Sequence, residues 1–432
     1  MVVLRVILAF VSKILPTFVV TPTNYANKMT KSIFKSLEQG NKGALLRKRM
    51  ISYLILHGNS TILELSKTLD LSVPTVTKMI DEMCQQGILN EFGKMETNEG
   101  RHPHLYGLNP EAAYFVGVDI KNSGVNLGLI NFNGDLLEDH INAPYHFDNS
   151  LEGLHALCRV INDFVDHCQV ERDKIANVNV NVSGRVNPES GYSYSWFNLG
   201  EQPLTVTMSQ LTGLHVTIDN DTRAMTYGEY LRGNNQAKRD ILFVNVSWGL
   251  GLGIIIDGKV YTGKSGFAGE FGHTPVFDNE VICHCGKKGC LETEASGSAI
   301  HRKLQARIAA GENSILAEAM ARDPQSVTLE TIIDAVGRED MLCIELVEEV
   351  GSILGKQVAG LINLLNPELV IVGGLLSMTG DYLLQPLRTA MRKHSLQMVH
   401  RDTHVVLSTL MGKAGLVGAC LLARSRTFAD LP

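Results

Sequence analysis

Cys283, Cys285 and Cys290 crowd into the stretch VICHCGKKGCLET, and His273 stands ten residues before the first of them. Three soft thiolates and one imidazole make a complete tetrahedral donor set for zinc, with no position left for water. That composition predicts a structural zinc ion (Zn2+) rather than a catalytic one. Gly286 and Gly289 let so short a loop curl around an ion. Lys287 and Lys288 would lower the thiol pKa values and favour the thiolates a metal requires. A reactive thiol cluster is the alternative reading of the same residues. The other five cysteines, Cys84, Cys158, Cys168, Cys343 and Cys420, are scattered singly among apolar residues and read as small buried hydrophobes.

A chain of 432 residues, 44% hydrophobic and 19% charged, has the make-up of an ordinary globular protein with several cores. Its net charge of −6 excludes a whole-molecule attraction to nucleic acid. Eight cysteines in so long a chain do not describe a secreted disulfide scaffold, so a reducing cytoplasm is expected. The opening run MVVLRVILAFVSKILPTFVV is apolar, but Arg5, Lys13 and Pro16 interrupt it. The pieces are shorter than the roughly 20 residues of a membrane-spanning helix. Residues 1–43 are therefore read as an extension with Met29 as the alternative start, and no membrane partner is expected.

Residues 44–110 form the first organised unit. ALLRKRMISYLILHG has apolar positions at helical spacing and stops at Gly58. In STILELSKTLD, Ser60 or Thr61 is a cap, with Glu64 placed for a capping box. Ser72 then caps VPTVTKMIDEMCQQG, where Pro74 falls in the tolerant first turn and Gly87 ends the helix. Two short strands, ILNEF and HLYGLN, flank the polar loop GKMETNEGRHP. Three helices and a two-stranded wing spell a winged helix-turn-helix, whose third helix would enter the DNA groove. Between residues 28 and 104, eleven Lys or Arg stand against eight Asp or Glu, so this part is basic within an acidic chain. Thr75, Thr77 and Lys78 near the start of the reading helix, with Ser72, suit phosphates and base edges. Lys94, Arg101 and His102 add a wing tip.

From residue 114 the texture changes to strands. YFVGVDIKNSGVNLGLINFNGDLLEDH carries an Asn133-Gly134 hairpin turn suited to type I′, and ILFVNVSWGLGLGIIIDGKVYTG repeats the design with Asp257-Gly258. Two like units imply a duplicated α/β architecture with a cleft between lobes. A late helix, MLCIELVEEVGSILGKQVAGLINLLN, feeds a buried strand, PELVIVGGLL.

IDNDTRAMTYGEY, SGFAGEFGHTPVF and CHCGKKGCLETEASG, in that order, resemble the ROK family of repressors, open reading frames and sugar kinases. The resemblance covers roughly residues 44–425. It implies a multidomain chain, a winged helix-turn-helix followed by a two-lobed α/β actin-like ATPase fold, similar to repressors that respond to xylose, N-acetylglucosamine or glucose. Lobe one would span 112–220 and be completed by a C-terminal helix at 412–426; lobe two would span 221–411. Carried over by motif, Asn220, Asp221, Glu270, His273 and Glu292 would bind sugar, with Asn198 in WFNLGEQPL a further candidate. His273 would then serve both metal and sugar, and the cysteine knot would hold the turn that aims Glu292 into the cleft.

Family kinases use the residue at Asp221 as the base that deprotonates the sugar hydroxyl, and Asp221 would be catalytic here only if kinase activity survives. Phosphoryl transfer is mostly positioning, so the phosphate loops decide. The kinase loop Asp-x-Gly-Gly-Thr is Asp119-Ile120-Lys121-Asn122-Ser123 in this chain, and Gly-Thr-Gly is Ser247-Trp248-Gly249. Side chains crowd where backbone amides should approach phosphate. The expectation is a sugar-responsive regulator, a repressor that binds operator DNA as a homodimer, without ATP turnover. Lys121 keeps open a sugar-phosphate effector. The alternative is an ATP-dependent sugar kinase carrying an accessory DNA-binding domain.

Overall fold

The computed structural model describes residues 42–95, 102–121, 124–233 and 235–428. Met29, Arg101, Asn122 and Ser123 lie outside the described residues.

The first unit has helices α1 (Lys42–His57), α2 (Ile62–Leu69) and α3 (Val73–Gln85), with strands β1 (Ser60–Thr61), β2 (Leu89–Lys94) and β3 (His104–Leu108). Thr61 is the cap of α2: its hydroxyl accepts from the Glu64 amide while the Glu64 carboxylate accepts from the Thr61 amide at 2.8 Å, closing the capping box. Ser72 caps α3, with proline in the first turn. The wing is a three-stranded sheet in the order β1-β3-β2, because the short β1 pairs with β3. That strand was not legible as such; two residues carry no alternation.

The larger unit is built twice on one plan. Strands β4 (Tyr114–Lys121), β5 (Gly124–Asn131) and β6 (Leu136–Ala143) form an antiparallel meander. Helix α4 (Leu151–His167) leads to β7 (Ile175–Val182), which pairs parallel with β4. A small hairpin, β8 (Val186–Asn187) and β9 (Tyr192–Ser193), precedes α5 (Leu204–Thr212) and β10 (Val216–Asn220). Helix α6 (Asp221–Arg232) crosses to the second lobe. There β11 (Ile241–Val246), β12 (Leu250–Ile256) and β13 (Lys259–Val260) repeat the meander. Helices α7 (Gly297–Ala309), α8 (Ala317–Arg322), α9 (Leu329–Gly337) and α10 (Met341–Leu365) follow, then β14 (Leu369–Gly373), α11 (Asp381–His394), α12 (Gln397–Asp402) and β15 (His404–Leu407).

The sheet orders are β10-β7-β4-β5-β6 and β13-β12-β11-β14-β15. Numbered within each lobe, both read three-two-one-four-five from one edge, the duplication expected from the two hairpin motifs. The turns differ, however. Asp257 and Gly258 both take positive φ (54° and 74°), as type I′ requires, whereas at Asn133-Gly134 only Gly134 does (92°). The Gly134 amide donates to the Asn131 carbonyl and the Asn131 amide to the Asp135 carbonyl, a longer loop closed by one left-handed glycine. The type I′ expectation fails there because Asp135 accepts from the Asn131 side chain and reshapes the turn.

Helix α13 (Ala414–Phe428) ends the chain and returns to lobe one. Asn181 Nδ2 donates to the Gly415 carbonyl at 2.9 Å and Asn177 Nδ2 to the Ala423 carbonyl at 2.9 Å, tying the helix to β7. Its other side buries Leu421 and Phe428 in one core with Met50, Ile51 and Leu54 of α1 and with Phe115 and Phe132. Phe132 and Phe428 stack with centroids 5.1 Å apart. The DNA-reading unit is thus not a tethered appendage; its core continues into lobe one. No helix among the described residues is long and apolar enough to cross a membrane.

Helices α6 and α13 cross in close contact because glycine lines the crossing. A Cβ on Gly418 would stand 1.8 Å from the Ala224 carbonyl oxygen, and backbone cannot yield as a side chain can. Gly418→Ala should therefore force the two helices apart and destabilise the fold by about 1–3 kcal/mol. The check is a fall in the urea midpoint at unchanged slope; an unchanged midpoint would mean that the crossing tolerates separation.

Candidate functional site

On the reading helix, Lys78 projects with its side chain 79% exposed and Glu82 3.9 Å away. Thr75 is exposed, and its hydroxyl lies 2.8 Å from that of Ser72. The Thr77 hydroxyl donates back to the Val73 carbonyl at 2.9 Å. Arg47 of α1 pairs with Glu82 and braces the reading helix from behind. Lys94 is exposed on the wing, and the His102 ring approaches the Met95 carbonyl at 3.2 Å.

The cleft is organised by the junction of β10 with α6. Asn220 is the helix cap: its oxygen accepts from the Arg223 amide at 3.1 Å and its nitrogen donates to the Gly184 carbonyl at 2.9 Å. Both ends of that side chain serve backbone. Asp221 follows at the first helical position, half-buried, accepting from the Ser183 hydroxyl at 2.6 Å and the Thr222 amide at 2.7 Å. Burial raises the Asp221 pKa, opposed by those two donors and by Lys121. Asn198 is exposed on the loop after Trp196 and Phe197, remote in sequence and held by aromatic packing of that loop on Phe147.

From lobe two comes the cysteine loop. The donor atoms of His273, Cys283, Cys285 and Cys290 all lie within 4.8 Å of one another. Cys283 Sγ is 3.5 Å from His273 Nδ1, and Cys285 Sγ is 3.7 Å from Cys290 Sγ. Bonds of about 2.3 Å to a tetrahedral ion put neighbouring ligand atoms about 3.7 Å apart, so the four residues are spaced for a metal. Burial pushes the Cys283 thiol up to about 12, while at Cys285 burial is outweighed by the Lys287 amide and the neighbouring thiols, and its pKa falls. The other nitrogen of His273, Nε2, faces Glu270, 3.7 Å from its exposed carboxylate.

Glu292 is buried beside this cluster. Its Oε2 accepts from the Leu250 amide at 2.9 Å and its Oε1 lies 2.8 Å from His284 Nδ1. Burial opposes the charge, but His284 and the Leu250 amide hold the Glu292 pKa below its ordinary value. His284, which sequence reasoning passed over, is therefore a partner of Glu292 beside the cysteine cluster. Gly249 is needed here, since a Cβ would meet Glu292 Oε2 at 2.8 Å.

The phosphate loops have different occupants. Lys121 Nζ is 2.8 Å from the wholly buried Asp119. Trp248 is exposed with its ring 5.5 Å from that of His301.

Beneath the cleft, Asp219 stands between two guanidinium groups. Arg223 Nε donates to its Oδ1 at 2.6 Å, and Arg426 of α13 pairs with its Oδ2. Arg223 also donates to the Gly266 carbonyl at 2.5 Å and to the Val186 carbonyl at 3.2 Å, so one side chain joins β10, the β8 hairpin and the loop bearing Glu270. Burial alone would raise the Asp219 pKa, but Arg426 and Arg223 outweigh it and hold the carboxyl below the usual range. A depressed folded-state pKa means that this stabilisation is complete above the unfolded value of about 3.9 and is lost as pH falls through the folded one. Arg426→Met should cost about 3 kcal/mol at neutral pH, the lower end for a broken buried pair because Arg223 remains. The acid-unfolding midpoint should also move to higher pH; an unchanged acid limb would show that Arg223 alone suffices.

The description "ROK family" matches residues 115–426, and "Winged helix-turn-helix DNA-binding" matches residues 45–90. A xylose repressor of Caldicellulosiruptor bescii is 30% identical over 369 residues, covering 84% of this chain and 91% of its own length. The crystal structure of a ROK family transcriptional regulator, described as a homolog of the E. coli MLC protein, superposes with a TM-score of 0.74 at 28% identity, over 89% of this chain and 96% of that one. A glucokinase of Streptomyces griseus, in complex with glucose and AMPPNP, gives a TM-score of 0.62 at 29% identity, over 72% of this chain and 99% of its own. With the winged helix, the duplicated lobes and the cysteine loop all in place, the chain belongs to the ROK family.

Proposed function

We propose that this protein is a sugar-responsive transcriptional regulator that represses carbohydrate-utilisation genes, acting in the cytoplasm as a homodimer on operator DNA. The observation that carries this reading is the shared core of the reading unit and the sugar lobes. Phe428 of α13 packs with α1, while Arg426, two residues earlier, holds Asp219 at the floor of the cleft. Sensor and reader are joined by one helix. The likeness to the xylose repressor and to the ROK transcriptional regulator runs through the DNA-reading unit, whereas that to the glucokinase covers only 72% of the chain.

Sugar would lie among Asn220, Asp221, Glu270, His273 and Glu292, with Asn198 from the adjoining loop. Carboxylates accept from neighbouring hydroxyls, the usual way of reading a sugar face. Asp221 is retained from the kinase plan and would act here as an acceptor. Lys121 folding back on Asp119, and an indole in the second loop, argue against ATP turnover. Phosphorylation of a sugar by the unmodified protein, read as ADP release, would favour the kinase alternative.

The four-residue cluster would hold one structural zinc. Supporting this are the soft donors and the spacing of their atoms, all within 4.8 Å of one another. Bound metal would fix His273 so that Nε2 addresses the sugar. Elemental analysis should give one zinc per chain, and Cys285→Ser should lose the metal, lower the melting temperature and weaken sugar binding. A stable, sugar-binding chain free of metal would sink the assignment.

Ser72, Thr75, Thr77, Lys78, Lys94, Arg101 and His102 would meet DNA, and a two-fold operator would be read by two reading helices. Sugar need favour the DNA-incompetent arrangement by only about 1–3 kcal/mol. Lys78→Ala should weaken operator binding and flatten its salt dependence by about one phosphate contact, leaving sugar affinity unchanged. Glu270→Gln and Glu292→Gln should each weaken sugar about ten- to a hundredfold and leave DNA binding intact but no longer relieved. Fluorescence anisotropy on an operator fragment, with and without sugar, measures both. Operator affinity indifferent to sugar at every salt concentration would refute the mechanism.

A further inference from the structure

Helices α10 and α11 pack on one face of the second sheet, with Val244, Val370 and Val372, whereas Met225 of α6 packs on the other, with Phe243 and Ile371. Between α10 and α11 runs a groove of about 810 Å3. Glycine sets its shape. A Cβ on Gly351 would meet the Leu383 carbonyl oxygen at 2.5 Å, and one on Gly355 the Leu387 carbonyl oxygen at 2.2 Å, so the helices lie backbone to backbone. Four residues along one match four along the other in the same direction; the helices run parallel. Asn363 ties their C-terminal ends, donating to the His394 carbonyl at 3.4 Å and accepting from the Leu396 amide at 2.9 Å.

Charge along this groove is sorted by sign. Glu348 and Asp381 line its N-terminal end, and Lys356 and Lys393 its C-terminal end. Among the described residues Glu348, Lys356 and Lys393 form no ion pair. The neighbouring acids of α10, Glu345 and Glu349, are paired with Arg307 and Lys303 of α7. The helix dipole accounts for Asp381 and Lys393, which stand in a first and a last turn. It does not account for Glu348 and Lys356, each about two turns or more from the nearer end of α10. Nor can those two pair with each other, since eight residues of helix separate them by about 12 Å. Large apolar side chains are uncovered at both ends as well: Met341 is 65% exposed at one, Leu364 81% and Leu396 65% at the other.

Both features share a centre. Ser352, which lines the groove, stands midway between Glu348 and Lys356 and close to midway between Met341 and Leu364. A two-fold axis at Ser352 puts Glu348 of each copy opposite Lys356 of the other, and the Met341 end against the Leu364 end. Such self-complementarity is what an isologous contact requires. A partner of a single sign would answer only half of the groove, whereas a second copy turned end for end answers both halves.

We propose that the groove between α10 and α11 is the surface on which two copies of this chain meet, about a two-fold axis at Ser352. This rests on the homodimer of the reading above and names its surface.

The test is sedimentation velocity of the full chain and its variants. Lys356→Glu sets acid against acid at both symmetric contacts and should raise the dimer dissociation constant at least about tenfold. Glu348→Lys, which sets base against base, should do the same. Mixing the two variants should restore a dimer, because every contact then joins Glu to Lys; chains that had merely lost their fold could not recover in this way. The double variant, Glu348→Lys with Lys356→Glu, should associate as the wild type does. A wild-type dimer that neither single variant weakens would overturn this surface and leave the homodimer standing. A wild-type chain that is monomeric would overturn both. Single variants that stay apart when mixed, beside a double variant that does not recover, would also overturn the pairing of Glu348 with Lys356.

Discussion

A carboxylate buried at 2% exposure cannot remain charged unless something answers it, and Asp219 is answered by two arginines from different parts of the chain. Arg223 belongs to the helix that leaves the cleft and Arg426 to the helix that ends the protein. Each arginine binds its own oxygen of the carboxylate, so β10, α6 and α13 are tied together at one point. Arg223 extends the constraint through the Gly266 and Val186 carbonyls to the loop of Glu270 and to the β8 hairpin. This one ion cluster thereby ties the start of α6 to the loop that carries Glu270, two of the segments that supply the candidate cleft residues.

A second consequence concerns motion. Helix α6 starts in the cleft at Asp221, and its last turns meet the core shared with the DNA-reading unit through Leu231. Tyr227 meets Ser425 of α13 by a hydrogen bond of 2.5 Å. Further along α6, the buried Glu229 accepts from Ser408, Thr409 and the Leu410 amide, in the segment leading into α13. With glycine at the crossing and polar ties on either side, α6 and α13 have little freedom to slide independently. A closure of the cleft that displaces α6 must carry α13, and with it the core against which α1 packs. Coupling of sugar to DNA then needs no separate relay.

Much of this was legible in the sequence, for a physical reason. Capping boxes, proline in a first turn and glycine stops are local signals, so Thr61, Pro74 and Gly87 mark the winged helix by themselves. Closely spaced soft donors are local too, and Cys283, Cys285 and Cys290 come together as their spacing implies. What escaped is what depends on distant chain segments. No local signal pairs Asp219 with Arg426, across 207 residues. The i,i+4 spacing of Asp219 and Arg223 was available, but it reads equally as a surface pair. His284 stands between Cys283 and Cys285 and becomes meaningful only when Glu292 is folded against it. Asn220, matched by motif as a candidate sugar ligand, also caps α6, a second role that its sequence context did not announce.

In the first of the two loops that depart from the kinase pattern, a buried carboxylate meets a lysine of its own strand. Asp119 lies under the first turn of α13, where a Cβ on Gly415 would touch it at 2.3 Å, a placement in which the helix end stabilises negative charge. In a phosphoryl-transfer enzyme such a carboxylate works beside metal-bound phosphate; here it faces Lys121 from its own strand. An internal ammonium answers that negative charge from within the same strand. Asp221, two residues from Asp219, is fixed by Ser183 and the Thr222 amide, and Lys121 also favours its charge. Lys121 thus stands between two carboxylates, Asp119 of its own strand and Asp221 at the start of α6, and its charge favours the ionised form of Asp221.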